Sequence, residues 1–164
     1  MHKHYLLIKL MKSLLSTLLL YFAFTSSASA QNQSYTNVDD DFVALGGYDP
    51  VSYFNQERPS KGVESLTAQY EGATYHFSNQ ENLDMFISDP DKYAPAYGGY
   101  CAYAMGKGYL ADANPETYKI KDGKLLVFFN NFVVNTLNRW NRDEESLYPS
   151  AEANWDSKVA FEED

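Results

Sequence analysis

Apolar positions along this chain recur at two spacings, and each spacing predicts its own elements. Alternating runs come in pairs: Ser65 to Tyr70 and Ala73 to Phe77 flank Glu71-Gly72, and Thr117 to Ile120 and Leu125 to Phe129 flank Lys121-Asp122-Gly123-Lys124. Both pairs read as β-hairpins, and the Asp-Gly dipeptide is the strongest hairpin signal in the chain. Helical spacing appears after Ser78 or Asn79, either of which can cap a helix running through Ile87, with Leu83, Phe86 and Ile87 on one apolar face. Asp89-Pro90 stops that helix. A second stripe, Phe132, Val133, Thr136, Leu137 and Trp140, predicts a helix begun by Asn130 or Asn131, with a further helical piece from Asp143 to Trp155 around Pro149. Upstream, Phe42 to Leu45 is a short strand candidate closed by Gly46-Gly47, after which Asp49 can cap a helix with Pro50 at its first position. Hairpins and separate helices without β-α-β alternation predict an α+β fold.

The first 30 residues follow another logic. Lys3, Lys9 and Lys12 precede an apolar run from Leu14 to Phe24, and Ser26-Ser27-Ala28-Ser29-Ala30 supplies small residues, which reads as a signal peptide cut after Ala30. The run is shorter than the roughly 20 residues of a spanning helix, so the mature chain is not expected to span a membrane. Residues 31–41 are polar and end in Asp39-Asp40-Asp41, a flexible lead-in; 42–158 form one domain, and 159–164 an acidic tail. The expected location is periplasmic or secreted.

Charge narrows the partners. The chain holds 13 Lys and Arg against 22 Asp and Glu, and loss of the three signal lysines moves the net charge from −9 to −12. Nucleic acid, which demands a basic surface, is excluded as a partner. The 14 tyrosines, 10 phenylalanines and 2 tryptophans indicate an aromatic core or an aromatic-lined pocket.

Candidate chemistry gathers at one cysteine. Cys101 sits in Tyr97-Gly98-Gly99-Tyr100-Cys101-Ala102-Tyr103-Ala104-Met105-Gly106. If Gly98-Gly99 turn the chain and a short helix opens near Tyr100, the sulfur lies in its first turn, where free N–H groups favour a thiolate. Met105 then lies four residues on, on the same face. The two sulfurs could serve Cu(I), with His76, the one histidine beyond the signal, as a third ligand if its strand lies alongside. Alternation within Thr74-Tyr75-His76-Phe77 puts His76 on the face opposite Tyr75 and Phe77. Against each of these stands a plain packing role: a small buried cysteine, a structural histidine, a core methionine.

Four segments carry a family resemblance: Gly47-Tyr48-Asp49-Pro50-Val51-Ser52-Tyr53-Phe54, Tyr75-His76-Phe77-Ser78, Asp89-Pro90-Asp91-Lys92-Tyr93 and Gly98-Gly99-Tyr100-Cys101-Ala102. In order and spacing they resemble the YHS domain, in particular its exported, single-domain (seleno)protein branch. The resemblance implies a small metal-associated module in which cysteines follow the Tyr-x-Phe strand and recur in the next helix. Here those positions hold Ser78 and Asn82. It also implies that Cys101 stands where some members of the branch carry selenocysteine. Three functions follow: a soft-metal (copper) binding module using Cys101 with His76 or Met105, a thiol redox protein with Cys101 reacting through an external small thiol partner, or a non-catalytic interaction or ligand-binding domain.

Overall fold

A computed structural model describes residues 35–160, within the compact unit Gln33–Asp164. The expected signal peptide, and the acidic tail from residue 161 on, lie outside the described residues. Both hairpins form as expected. Strand β1 (Val63–Tyr70) pairs antiparallel with β2 (Ala73–Phe77), and β3 (Asn114–Lys121) with β4 (Lys124–Phe128), as two separate two-stranded sheets. Each turns on two left-handed residues, Glu71-Gly72 (φ 47° and 76°) and Asp122-Gly123 (φ 52° and 81°), whose twist matches that of the flanking strands. Around the sheets are α1 (Ser52–Asn55), α2 (Gln80–Ser88), α3 (Pro90–Tyr93), α4 (Ala102–Gly106) and α5 (Thr136–Ala160). The architecture is α+β.

Two cores hold these elements together. Tyr75 and Phe77, on the inner face of β2, stack around Phe86 of α2 at ring separations of 4.9 and 5.1 Å, with Val51, Tyr53 and Leu125 in the same cluster. Leu126 and Phe128 of β4 face the second core, with Met105, Trp140, Leu147 and Ala151. Strand β4 thus contributes alternate residues to both, Leu125 and Val127 to one and Leu126 and Phe128 to the other. A strand buried on both faces explains its unbroken apolar run.

The structure corrects several local expectations. Phe42 to Leu45 is not a strand: Val43 and Ala44 make single bridges to Thr74 and Val38, and a 3-10 turn follows over Leu45–Gly47. Ile87 leaves the apolar face of α2 and is 63% exposed, while Leu83 and Phe86 are buried in the core and Met85 packs against it. Within the lead-in, Thr36 is buried and donates to the Glu71 carbonyl, and the Asn37 N–H donates to that of Gly98 at 2.7 Å, while Asp39, Asp40 and Asp41 are exposed.

The helix expected from Asn130 or Asn131 begins only at Thr136. The Asn131 carboxamide accepts the N–H groups of Val133 (3.0 Å) and Val134 (2.7 Å), while Asn130 bridges to Asn135. This side-chain turn competes with the first helical turn and wins. It leaves Phe132 and Val133 110% and 89% exposed, so Phe132→Ser is expected to change stability by less than about 0.5 kcal/mol in urea unfolding. A loss above about 2 kcal/mol would mean that Phe132 packs as the stripe required. The two expected helical pieces are continuous as α5, apart from Asp143 at φ −128°.

Candidate functional site

Asp49, in the turn that leads into α1, is the centre of a buried polar cluster. The helix α1 begins at Ser52 with Val51 at its N-cap, so Pro50 lies before it rather than at its first position, and Asp49 Oδ1 instead accepts the N–H groups of Val51 (2.9 Å) and Ser52 (3.3 Å) in the turn that leads into α1. Its other oxygen faces the end of β2. Oδ2 accepts the Ser78 N–H (2.9 Å), the Ser78 hydroxyl (2.6 Å) and the Asn82 amide Nδ2 (2.6 Å). The residue is 0% exposed, and among the described residues no cation forms an ion pair with it. Five hydrogen-bond donors replace the water that burial removes, as an anion in a dry interior requires.

The cluster extends outward. Ser52 Oγ donates to the Asp49 carbonyl (2.6 Å) and accepts the Ser60 N–H (2.9 Å), and Asn82 Oδ1 accepts from Asn55 Nδ2 at 3.2 Å. Asn79 caps α2 through its side chain, which accepts the Asn82 N–H at 2.9 Å. Sequence reading saw the caps but not their convergence. The signal was there in the four-residue spacing of Ser78 and Asn82 across a helix start, which puts both side chains on one side.

Cys101 is 1% exposed, at the N-cap of α4. Its N–H donates to the Ala111 carbonyl (2.8 Å), and its sulfur accepts the Phe129 N–H (3.3 Å) and lies 3.4 Å from Thr136 Oγ1. The Thr136 hydroxyl donates its one proton to the Phe129 carbonyl at 2.8 Å. The thiol proton therefore points to Thr136, which closes a ring from Cys101 through Thr136 to the carbonyl and the N–H of Phe129. A thiol so held should react with a disulfide reagent on the order of 100-fold or more slowly in the native protein than in urea, because attack requires local opening. Equal rates in the two states would show an open site.

The other two candidates lie apart from this ring. His76 is half-buried on the face opposite Tyr75 and Phe77, as alternation predicts, with Nδ1 beside Gly47, 3.4 Å from where a Cβ there would sit. Met105 donates its N–H to the Cys101 carbonyl at 3.0 Å, yet its side chain is 0% exposed among Phe128, Trp140 and Leu147. Among the described residues, no hydrogen bond links His76 to Cys101 or Met105, and no group of three or more His, Cys, Asp and Glu could hold a metal ion. No helix among them is long and apolar enough to cross a membrane.

Residues 61–97, from the approach to β1 through α3 to Tyr97, match the family model of the YHS domain. This segment is a YHS domain. Comparison with curated proteins and with solved structures gives no match. The matched YHS segment contains His76, Ser78 and Asn82, whereas Asp49 and Cys101 lie on either side of it. At the two positions where the resemblance implies cysteines, this YHS domain therefore carries a hydroxyl and an amide, both donating to Asp49 Oδ2 and 3.4 Å from each other. That donor set does not fit a soft metal ion, which prefers thiolate, thioether or imidazole. The geometry of a convergent pair persists, and a carboxylate fills its centre.

Proposed function

We propose that the chain is an interaction or ligand-binding domain in which the thiolate pair of the YHS module is replaced by a metal-independent hydrogen-bond lock. The observation that carries this reading is the Asp49 cluster, where Ser78 and Asn82 spend their donors on a buried carboxylate. Such a lock ties α1 to the β2–α2 junction and frees the fold from any need of an ion there.

One feature favours a second reading, Cu(I) handling: Met105 of α4 lies one turn on from Cys101 at the helix N-cap. It requires the sulfur of Cys101 to leave Phe129 and Thr136, and Met105 to leave the core. Titration of Cu(I) into the full chain under reducing conditions, against a competing chelator and beside Cys101→Ser, separates the two. We expect no stoichiometric uptake that depends on Cys101, and unfolding unchanged by chelators. Tight one-to-one binding lost in the variant would replace this reading with copper handling, and rapid peroxide oxidation of Cys101 would replace it with thiol redox chemistry. Export belongs to the same proposal, and N-terminal sequencing of the secreted or periplasmic product should find Gln31 first.

A further inference from the structure

The two hairpins are one structure built twice. Strand β3 (Asn114–Lys121) starts 51 residues after β1 (Val63–Tyr70), and β4 (Lys124–Phe128) 51 residues after β2 (Ala73–Phe77), with equal strand lengths. The pairing agrees down to its irregularity. Val63 opposes Phe77 and the ladder resumes with Thr67 against His76, while Asn114 opposes Phe128 and the ladder resumes with Tyr118 against Val127.

The chain leading into each hairpin repeats as well. Val43 bridges in parallel to Thr74 of β2, and Pro95 to Leu125 of β4. Three left-handed residues follow, Leu45-Gly46-Gly47 (φ 53°, 54° and 77°) and Tyr97-Gly98-Gly99 (φ 55°, 60° and 81°). A tyrosine N–H closes each turn on the carbonyl three residues back, Tyr48 on Leu45 and Tyr100 on Tyr97. The next residue is Asp49 in one case and Cys101 in the other. The Asp49 N–H donates to the Ser60 carbonyl (2.9 Å), and that of Cys101 to the Ala111 carbonyl (2.8 Å), around the short helices α1 and α4.

The side chains of Asp49 and Cys101 then meet corresponding partners. Asp49 Oδ2 accepts the N–H of Ser78, the first residue beyond β2, and the Cys101 sulfur accepts that of Phe129, the first beyond β4. The following helix adds one more partner, Asn82 of α2 at Asp49 and Thr136 of α5 at Cys101. Four residues further on, the Phe86 ring lies 5.1 Å from that of Phe77, and the Trp140 ring 5.4 Å from that of Phe128. A shared two-residue turn would be ordinary. A shared bulge, bridge, left-handed turn and buried acceptor in the same order is more than local rules produce twice.

We infer that residues 95–140 repeat the module formed by residues 43–86, and that Cys101 is a positioning residue, the second module's counterpart of Asp49. The inference extends the lock of the reading above and rests on it. Cys101 meets two groups where Asp49 meets five donors, so a neutral thiol satisfies the second junction without burying a charge.

The test uses the full chain. Native-state amide exchange is followed at Phe129 in Cys101→Val and Cys101→Ser, with the remaining amides of the β3–β4 ladder as reference. Valine is apolar, close to the thiol in size and accepts nothing, so it should speed Phe129 exchange about tenfold or more beyond any change in the reference, whereas serine still accepts and should keep it near wild type. The reverse order, valine like wild type and serine worse, would reduce Cys101 to packing and overturn its role. The repeat itself is tested by transplanting the first module's pair. Cys101→Asp puts a carboxylate at the N-cap of α4, within reach of first-turn N–H groups such as those that serve Asp49 at α1, and Thr136→Asn adds the amide that Asn82 supplies there. The double variant should unfold at higher urea than Cys101→Asp alone. A double variant that is no more stable, or that fails to fold, would overturn the repeat. Asp49→Ala bears on the first lock only: a negligible loss there removes the reading above, whereas a large loss with Cys101→Asp left unrescued removes the repeat alone.

Discussion

Asp49→Ala is expected to lower the stability of the folded chain by about 3–5 kcal/mol, read as a shift of the urea midpoint at constant slope. The substitution removes one acceptor group and orphans five donors: the N–H groups of Val51, Ser52 and Ser78, the Ser78 hydroxyl and the Asn82 amide. Each buried donor left unpaired costs about 1–3 kcal/mol, and the total stays below their sum because water or a rotated side chain rescues part of the set. Ser78→Ala, which deletes one donor and leaves Asp49 four, should cost only about 1–2 kcal/mol. The double variant Ser78→Cys with Asn82→Cys restores the pair that the YHS resemblance implies. It should be less stable than wild type in the presence of a chelator, and should regain stability with a thiophilic ion only if the backbone geometry of the pair has been kept. Loss of less than about 1 kcal/mol in Asp49→Ala would show that the cluster is not a lock.

The second large effect belongs to the other core. Trp140 is 0% exposed, with its ring 5.4 Å from Phe128 and 6.3 Å from Tyr148, so Trp140→Ala should cost about 3–5 kcal/mol through lost burial and the cavity left behind. Trp140→Phe should cost much less than that. Among the described residues the indole Nε1 has no hydrogen-bond partner, so phenylalanine gives up volume but also removes an orphaned donor. Calorimetric unfolding of the two variants side by side decides it. If Trp140→Phe proves as damaging as alanine, Nε1 must be bonded in solution, most simply to a buried water.

How far a residue pattern could be followed depended on how local its cause was. The two hairpins were legible because Glu71-Gly72 and Asp122-Gly123 carry their turn geometry in their own backbones. Helix α2 was legible from its start, where the Asn79 side chain accepts the Asn82 N–H three residues on. The stripe through Phe132 and Val133 misled because periodicity cannot see that the Asn131 side chain has already taken the N–H groups of Val133 and Val134. His76 was placed on the correct face by alternation alone. What covers that face, Gly47 arriving from another part of the chain, was invisible in the order of residues.

The site follows the same division. Residue order alone was enough for the α+β class, the YHS resemblance, the two hairpin turns and the presence of a single cysteine, all of which rest on interactions a few residues long or on a count. Only the folded chain brings Ser78 and Asn82, 29 and 33 residues away, to the same oxygen of Asp49, and only it ties Cys101 to Thr136, 35 residues on. Those meetings are made by packing β2 and α2 against α1, and α4 against α5. Hydrogen bonds inside a dry core are strong where both partners arrive and costly where one does not, so tertiary packing decided which candidate side chains became structure.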